Sequence, residues 1–319
     1  MGCVPFFPCA DDPIFAPRSY TFCVGNVALI VHGGAWDITE QLREPCRKAV
    51  RRALDRGWAV LESGGSALDA CEEAIVELED ELVFDAGIGS HLNRDGKVQL
   101  DAILMNGATL KSGAVVAVER IRNPIRLARL ILEKSEHMLL AGYGAESFAL
   151  EHGIALCDPK ELITAVEADL WASLSGNLAS FGTVGAVALD SRGDLASGTS
   201  TGGTLYKHPG RVGDSALIGC GCYVENGASG VSCTGHGESI MKVVLAKKAN
   251  DLVAAGQAPQ TAADYAIAFL TSRTGGRGGL IILDSRGRPG MAFSTQDMAY
   301  AYRTTCPDVR ASGLFGSGA

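Results

Sequence analysis

The chain runs twice through one order of elements, strands, then helices, then strands, and few architectures accept that order. In the first half, VGNVALIVHGGAW reads as a buried strand entering a Gly-rich turn. A helix is predicted from about Glu40 to Glu62, broken by Gly64-Gly65, and a second from near Ser66 with the apolar stripe Leu68, Ala70, Ala74, Ile75 and Leu78. FDAGIGSHLNRDGKVQLDAILM turns into a strand, SGAVVAVERI supplies another, and helical patterns cover Pro124–Glu133 and Ala145–Glu151. In the second half, VGAVALD and DLASGTS flank the turn Ser191-Arg192-Gly193 as a hairpin, and ALIGCGCYV and ASGVSCTG read as two more strands. One long helix is predicted from Glu238 to about Ala255 and another around Thr261–Ser272, before GGLIILD and GMAFST close as a hairpin around Arg286-Gly287. This order suits layered sheets with helices on the outside. A stretch of mixed polarity at 158–182, with a helical suggestion in ELITAVEADLWASL, separates the halves as a linker.

Glycine (40 residues) is abundant while aromatics are only 6%, so the core is expected to be aliphatic, with backbones close together. A net charge of −8 without clustered Lys and Arg argues against a nucleic-acid partner. No stretch approaches the roughly 20 apolar residues that span a bilayer, so no membrane partner is expected. Residues 1–24 form a Pro-broken extension carrying Asp11 and Asp12, a poor secretory signal, and are expected to be weakly ordered; Phe6 also departs from a myristoylation pattern. The ten cysteines form no CxxC pair and no ligand cluster with His. Cys220 and Cys222, inside a predicted strand, read as buried free thiols, and reduced thiols point to the cytoplasm.

Two constellations offer a nucleophile. Gly198-Thr-Ser200-Thr-Gly202 matches G-x-S-x-G, with His32-Gly-Gly as an oxyanion loop and Asp214 and His236 in triad order. A nucleophile elbow must open a helix, whereas GGTLYKHPGRVGDS follows, rich in Gly and Pro, so this reading fails on context. Thr183 follows Phe181-Gly182 and starts the apolar run Val184–Leu189, where a threonine is ordinarily only a good β-former. Its hydroxyl is a poor nucleophile without a base. Were the Gly182–Thr183 bond cut, however, the new α-amine, with a pKa near 8, could take the hydroxyl proton itself.

The stretch GTVGAVALDSRGDLASGTSTGG resembles the autoprocessing site of the plant-type asparaginase and isoaspartyl-peptidase family, and PGRVGDSALIG, SCTGHGES, HGGAW, FDAGIGSHLN and NPIRLARLILEKSEH are similar to its other motifs, in family order from about 27 to 303. The resemblance implies an α+β fold, the four-layer αββα sandwich of the Ntn-hydrolase type, made from an α subunit (25–182, with the linker) and a β subunit (183–319). It implies self-cleavage between Gly182 and Thr183, with Thr183 as the catalytic nucleophile and Thr201 hydrogen-bonding near it. Arg211 and Asp214 would clamp the α-carboxylate and α-ammonium of the substrate, an arrangement suited to β-linked aspartyl compounds. Thr234 and Gly235 would form the oxyanion hole, and Gly237 would leave room for the substrate's ammonium. His32-Gly33-Gly34 would lie close to the nucleophile, whereas His236 carries no role.

By the same resemblance the main-chain carbonyls of Leu78, Glu79, Glu81, Phe84, Ala86 and Ile88 hold a structural sodium ion, no organic cofactor is needed, and two αβ units pair as a homodimer. The implied substrates are L-asparagine and β-aspartyl dipeptides. Two departures stand out: Asp85 where many members carry Asn, expected to alter the proton balance of the processing site, and a short linker, expected to slow cleavage. Two other readings stay open, a glycosylasparaginase-like amidase and an uncleaved, silent relative acting as a binding protein.

Overall fold

A computed structural model describes residues 25–173 and 182–314; the extension 1–24 and part of the linker, 174–181, lie outside the described residues. The elements run β1 (Ala28–Trp36), α1 (Glu40–Glu62), α2 (Ala67–Glu79), β2 (Leu100–Asn106), β3 (Ser112–Val118), α3 (Pro124–Lys134), β4 (Leu139–Ala141), α4 (Gly142–Glu151), a short 3-10 turn (Pro159–Leu162) and α5 (Ala165–Ser173). After Thr183 come β5 (Val184–Leu189), β6 (Leu195–Thr201), β7 (Cys222–Val224), β8 (Ser229–Gly235), α6 (Gly237–Val243), α7 (Leu245–Ala254), α8 (Pro259–Thr274), β9 (Gly278–Asp284), β10 (Pro289–Phe293), β11 (Asp297–Thr305) and β12 (Asp308–Gly313).

The strands form an eight-stranded sheet, ordered β12-β11-β1-β5-β6-β2-β3-β4, and a four-stranded sheet, β10-β9-β8-β7. Helices α1, α2 and α3 cover the outer face of the larger sheet, and α7 and α8 that of the smaller. Between the sheets lies an aliphatic core that includes Ile30, Ile103, Val187, Leu195, Ile281 and Leu283. Four layers in the order αββα result, the expected α+β class. Small side chains permit the close sheet-to-sheet approach: a Cβ on Gly230, for example, would lie 2.5 Å from a Val187 methyl on the facing sheet.

Several local signals map directly onto structure. Ser66 caps α2 reciprocally with Asp69, and the β5–β6 hairpin turns where Ser191-Arg192-Gly193 stands.

Three expectations need correction. The helix predicted over 238–255 is two helices, because Val244 is left-handed (φ 49°) and the first N–H groups of α7 bond outside the helix, Ala246 to Cys220 O and Lys247 to Gly219 O. The strand read into ALIGCGCYV shrinks to Cys222–Val224, since Cys220 N–H turns back onto Leu217 O; Cys222 is buried and Cys220 only partly so. The glycines of HGGA do not end β1, which continues to Trp36 with an irregularity between His32 and Ala35.

Candidate functional site

Register builds the site. In β5–β6 the pairing Val184↔Ser200 carries Thr183 opposite Thr201, and in β2–β6 Thr201 pairs with Asp101. Extending the β1–β5 pairing of His32↔Gly185 by two residues puts Gly34 beside Thr183. Four neighbouring strands of the larger sheet thus offer Gly34, Thr183, Thr201 and Asp101 in a row. The Thr183 hydroxyl donates to Thr201 Oγ1 at 3.0 Å, and Thr201 Oγ1 also accepts Gly203 N–H at 2.9 Å. Both threonines are buried.

Gly34 presses on the Gly182–Thr183 bond. A Cβ there would lie 3.0 Å from the Gly182 carbonyl carbon, and the residue has φ 93°, so both sterics and backbone require glycine. Next to it, Ala35 N–H donates to Thr234 Oγ1 at 3.2 Å. With one lone pair so used, the Thr234 hydroxyl keeps its proton for another acceptor. Gly235 follows at the end of β8 with φ 131°.

A closed hydrogen-bond chain fixes His32. Thr199 donates its hydroxyl proton to Gly221 O (3.1 Å), so Ser232 must donate to Thr199 (2.9 Å), and Ser232 Oγ accepts from His32 Nε2–H (2.9 Å). His32 Nδ1 is left as the acceptor facing Gly34 N–H (3.3 Å). Burial pushes the ring down to about 3, outweighing a hydrogen bond to the Thr183 main chain that favours the charged form. His32 is therefore neutral at working pH and orients the Gly34 backbone.

Across the cleft, Arg211 and Asp214 flank Gly237: a Cβ there would lie 2.9 Å from Arg211 Nη2 and from Asp214 Oδ1. The two residues expected to clamp substrate lie together, and Arg211 pairs with Glu238, a residue the sequence reading missed, by two bonds of 2.9 Å. Asp214 is buried with Oδ2 unpartnered among the described residues, and burial raises its carboxyl to about 7 despite Arg211. A buried carboxyl with one unpartnered oxygen, beside a guanidinium, has the chemistry to accept an ammonium.

Ser200 of the G-x-S-x-G match lies within β6 and donates to Glu79 Oε1 at 2.7 Å. That Glu79 oxygen also accepts Ile125 N–H at 3.0 Å, and burial raises the carboxyl to about 8. Ser200 thus joins β6, α2 and α3 and is no nucleophile. His236 precedes α6, its Nδ1 2.7 Å from Ser239 Oγ.

The six residues expected around a cation all lie between the last turn of α2 and Ile88. Glu81 N–H reaches Leu78 O, and Phe84 N–H reaches Glu81 O, only at 3.4 Å, while Ile88 N–H closes the loop on Glu79 O at 3.0 Å. The Leu78 and Glu81 carbonyls are thus weakly engaged, whereas that of Glu79 is taken within the loop. Among the described residues no group of three His, Cys, Asp or Glu could hold a metal.

The sequence reading also missed the buried Lys207, Asp101 and His91 and the half-buried Glu167. Lys207 Nζ donates to Gln99 O at 2.8 Å, and His91 Nδ1 lies 2.8 Å from Glu167 Oε2. No spacing rule links such partners, which stand 108 and 76 residues apart.

The chain is similar to known proteins over most of its length. The family model described as asparaginase matches residues 25–309. An isoaspartyl peptidase/L-asparaginase of Xenopus laevis is 47% identical over 280 residues, spanning 86% of this chain and 91% of the relative. The human isoaspartyl peptidase/L-asparaginase is 41% identical, with 86% and 92% covered. A plant-type L-asparaginase of Pyrococcus abyssi is 44% identical over 295 residues, with 86% and 96% covered. The chain belongs to the asparaginase family.

Proposed function

We propose that the chain is a hydrolase that cuts itself between Gly182 and Thr183 and then hydrolyses L-asparagine to aspartate and ammonia, and β-aspartyl dipeptides to aspartate and an amino acid. The observation that carries this reading is the buried Thr183–Thr201 hydroxyl pair beside the close-packed Gly34–Gly182 contact. In the cut enzyme the Thr183 α-amine takes the hydroxyl proton, and Oγ1 attacks the side-chain amide of the substrate. The oxyanion that forms accepts from the Thr234 hydroxyl and Gly235 N–H. Ammonia or an amino acid leaves, and water then opens the β-aspartyl-threonine ester. Arg211 binds the substrate α-carboxylate, sharing or releasing Glu238, while Asp214 accepts the α-ammonium over Gly237.

Every group in this sequence belongs to the chain or its substrate, so no organic cofactor enters. Carbonyls of Leu78, Glu79, Glu81, Phe84, Ala86 and Ile88 would hold a sodium ion that stiffens the loop carrying Asp85. We assign two αβ units to a homodimer; Met138 and Leu139 on and beside the edge strand β4, with Tyr143 on α4, expose apolar surface that a partner would cover. The free thiols of Cys46, Cys71, Cys157, Cys220, Cys222, Cys233 and Cys306 suit a reducing compartment, and we assign the enzyme to the cytoplasm. No helix among the described residues is long and apolar enough to cross a membrane.

Intact mass spectrometry tests the reading. Dividing 33.2 kDa by chain length gives fragments of about 19 and 14 kDa, the smaller beginning Thr-Val-Gly. A chain that stays whole after days and is inert toward asparagine and β-aspartyl dipeptides would favour the silent relative. Activity confined to a glycosylated asparagine would favour the glycosylasparaginase-like amidase.

A further inference from the structure

The aspartyl unit of a substrate carries its two free α groups at one end and the scissile amide at the other. With the α groups held by Arg211 and Asp214, which flank Gly237, whatever is bonded to the amide nitrogen extends past Thr183. This inference rests on that reading of the hydrolysis. The direction the leaving group takes follows from the proton. As Thr183 Oγ1 bonds to the amide carbon and the C–N bond breaks, the hydroxyl proton held by the Thr183 α-amine passes to the departing nitrogen, which leaves as a neutral amine. Donor and acceptor must stand within hydrogen-bond reach, so the leaving nitrogen lies against the Thr183 nitrogen. In the uncut chain that nitrogen is bonded to Gly182, so the leaving group comes off on the side of Thr183 that Gly182 borders.

That side is hollow. Gly182 itself lines a cavity of about 400 Å³, to which Trp36, Leu42, Phe84 and Leu170 give apolar walls. The inner wall touches the strand beside the nucleophile. A Cβ on Gly33 would lie 2.3 Å from Phe84 Cε1, and one on Gly34, the next residue, 3.0 Å from the Gly182 carbonyl carbon. Leu82 and Val166, 62% and 74% exposed, stand where the cavity opens to solvent. Its polar edge is Asp85, His91 and Glu167, two carboxylates to one imidazole, with His91 Nδ1 2.8 Å from Glu167 Oε2.

We propose that this cavity is the leaving-group subsite, and that it selects β-aspartyl dipeptides whose C-terminal residue has an apolar side chain. An aliphatic side chain buries surface against Leu42, Phe84 and Leu170, while the dipeptide's own carboxylate stays hydrated at the mouth. An acidic side chain meets the edge where carboxylates outnumber the imidazole, and is disfavoured. Ammonia, the leaving group of asparagine, fills none of this space. Every substrate yields the same β-aspartyl-threonine ester, so the cavity acts only on the steps before that ester forms. The preference therefore appears in kcat/KM.

The test compares kcat/KM of the fully cut enzyme, its fragments verified by intact mass, for β-aspartylglycine, β-aspartylleucine and β-aspartylglutamate, whose leaving groups are all α-amines. The leucine compound is expected about 10-fold above the glycine compound, and the glutamate compound at or below it. Leu170→Ser and Leu42→Ser each remove apolar wall and should shrink the leucine-over-glycine ratio to about 3-fold or less, with Leu170→Met restoring it. A merely structural defect lowers both dipeptides alike and leaves the ratio where it was. Thermal melts identify a variant that fails to fold, and the other variant with the wild-type series then decides. Equal kcat/KM for leucine and glycine compounds, a glutamate compound as good as the leucine one, or a ratio unmoved in both variants would overturn the assignment. A chain that hydrolyses neither asparagine nor any of these dipeptides would instead remove the hydrolysis reading, and this inference with it.

Discussion

Two walls enclose the Gly182–Thr183 bond, and they are made of opposite chemistry. The wall from β1 and β8 is neutral: His32, Ser232 and Thr199 form a chain in which each proton has one destination, ending on Gly221 O and leaving Nδ1 for Gly34 N–H. The wall from the loop after α2 and from α5 holds Asp85, His91 and Glu167, with one carboxylate oxygen unpartnered among the described residues. A fully satisfied neutral network fixes geometry and scarcely responds to pH, whereas an incompletely satisfied charged one is free to exchange a proton. The two sides of the bond thus differ in charge and in how fully their polar atoms are satisfied.

Thr183→Ala gives the harshest test, since both walls flank the bond that carries its hydroxyl. It should leave the chain whole and lower asparagine turnover by about 10⁴-fold or more; a variant still cut at this position would make the contrast between walls irrelevant to scission. Thr234→Val removes the hydroxyl beside the neutral wall and should reduce kcat by about 100-fold, with Thr234→Ser largely restored. An unchanged kcat would detach that wall from the chemistry.

Ser232→Ala sharpens the comparison through stability. It strands His32 Nε2–H and should cost about 1–3 kcal/mol in denaturant unfolding, with no shift of the pH–rate curve. A shifted curve would mean the neutral wall carries a titrating group after all.

The gentlest test is the pH dependence of wild-type turnover by the cut enzyme. Asp214, raised to about 7 by burial, is protonated below that pH and cannot then receive an ammonium. kcat/KM, which reports the free enzyme, should fall several-fold as pH drops below 7, while kcat loses this limb because bound substrate holds Asp214 ionised. Identical limbs in both would place the titration elsewhere.

Much of this was legible in the sequence for local reasons. Ser66 and Asp69 cap α2 from three residues apart, and Ser191-Arg192-Gly193 joins β5 to β6 so that pairing carries Thr183 opposite Thr201. Motif resemblance gathered Arg211, Asp214, Thr234, Gly235 and Gly237 around the same cleft. The reading went wrong where distant chain intervened. Nothing in KVVLAKK forecasts a break at Val244, because carbonyls of the 219–220 loop draw off the N–H groups that would have continued the helix. Glu238 looked like an ordinary residue in a helix's first turn until Arg211, 27 residues away, met it.

The sequence by itself determined most elements as far as β10, the turns of two hairpins and the family, because apolar period, turn chemistry and motif spacing act between near neighbours along the chain; β4, β11 and β12 were not read from it. Only the tertiary structure decided that β11 would lie beside β1 in the larger sheet, that His91 would find Glu167, and that Asp85, its carboxyl buried, would pack its Cβ and backbone against Gly182. Those outcomes depend on which charges share a water-poor space. Burial sets the energy of a charge, and the folded chain, rather than its local sequence, sets the burial.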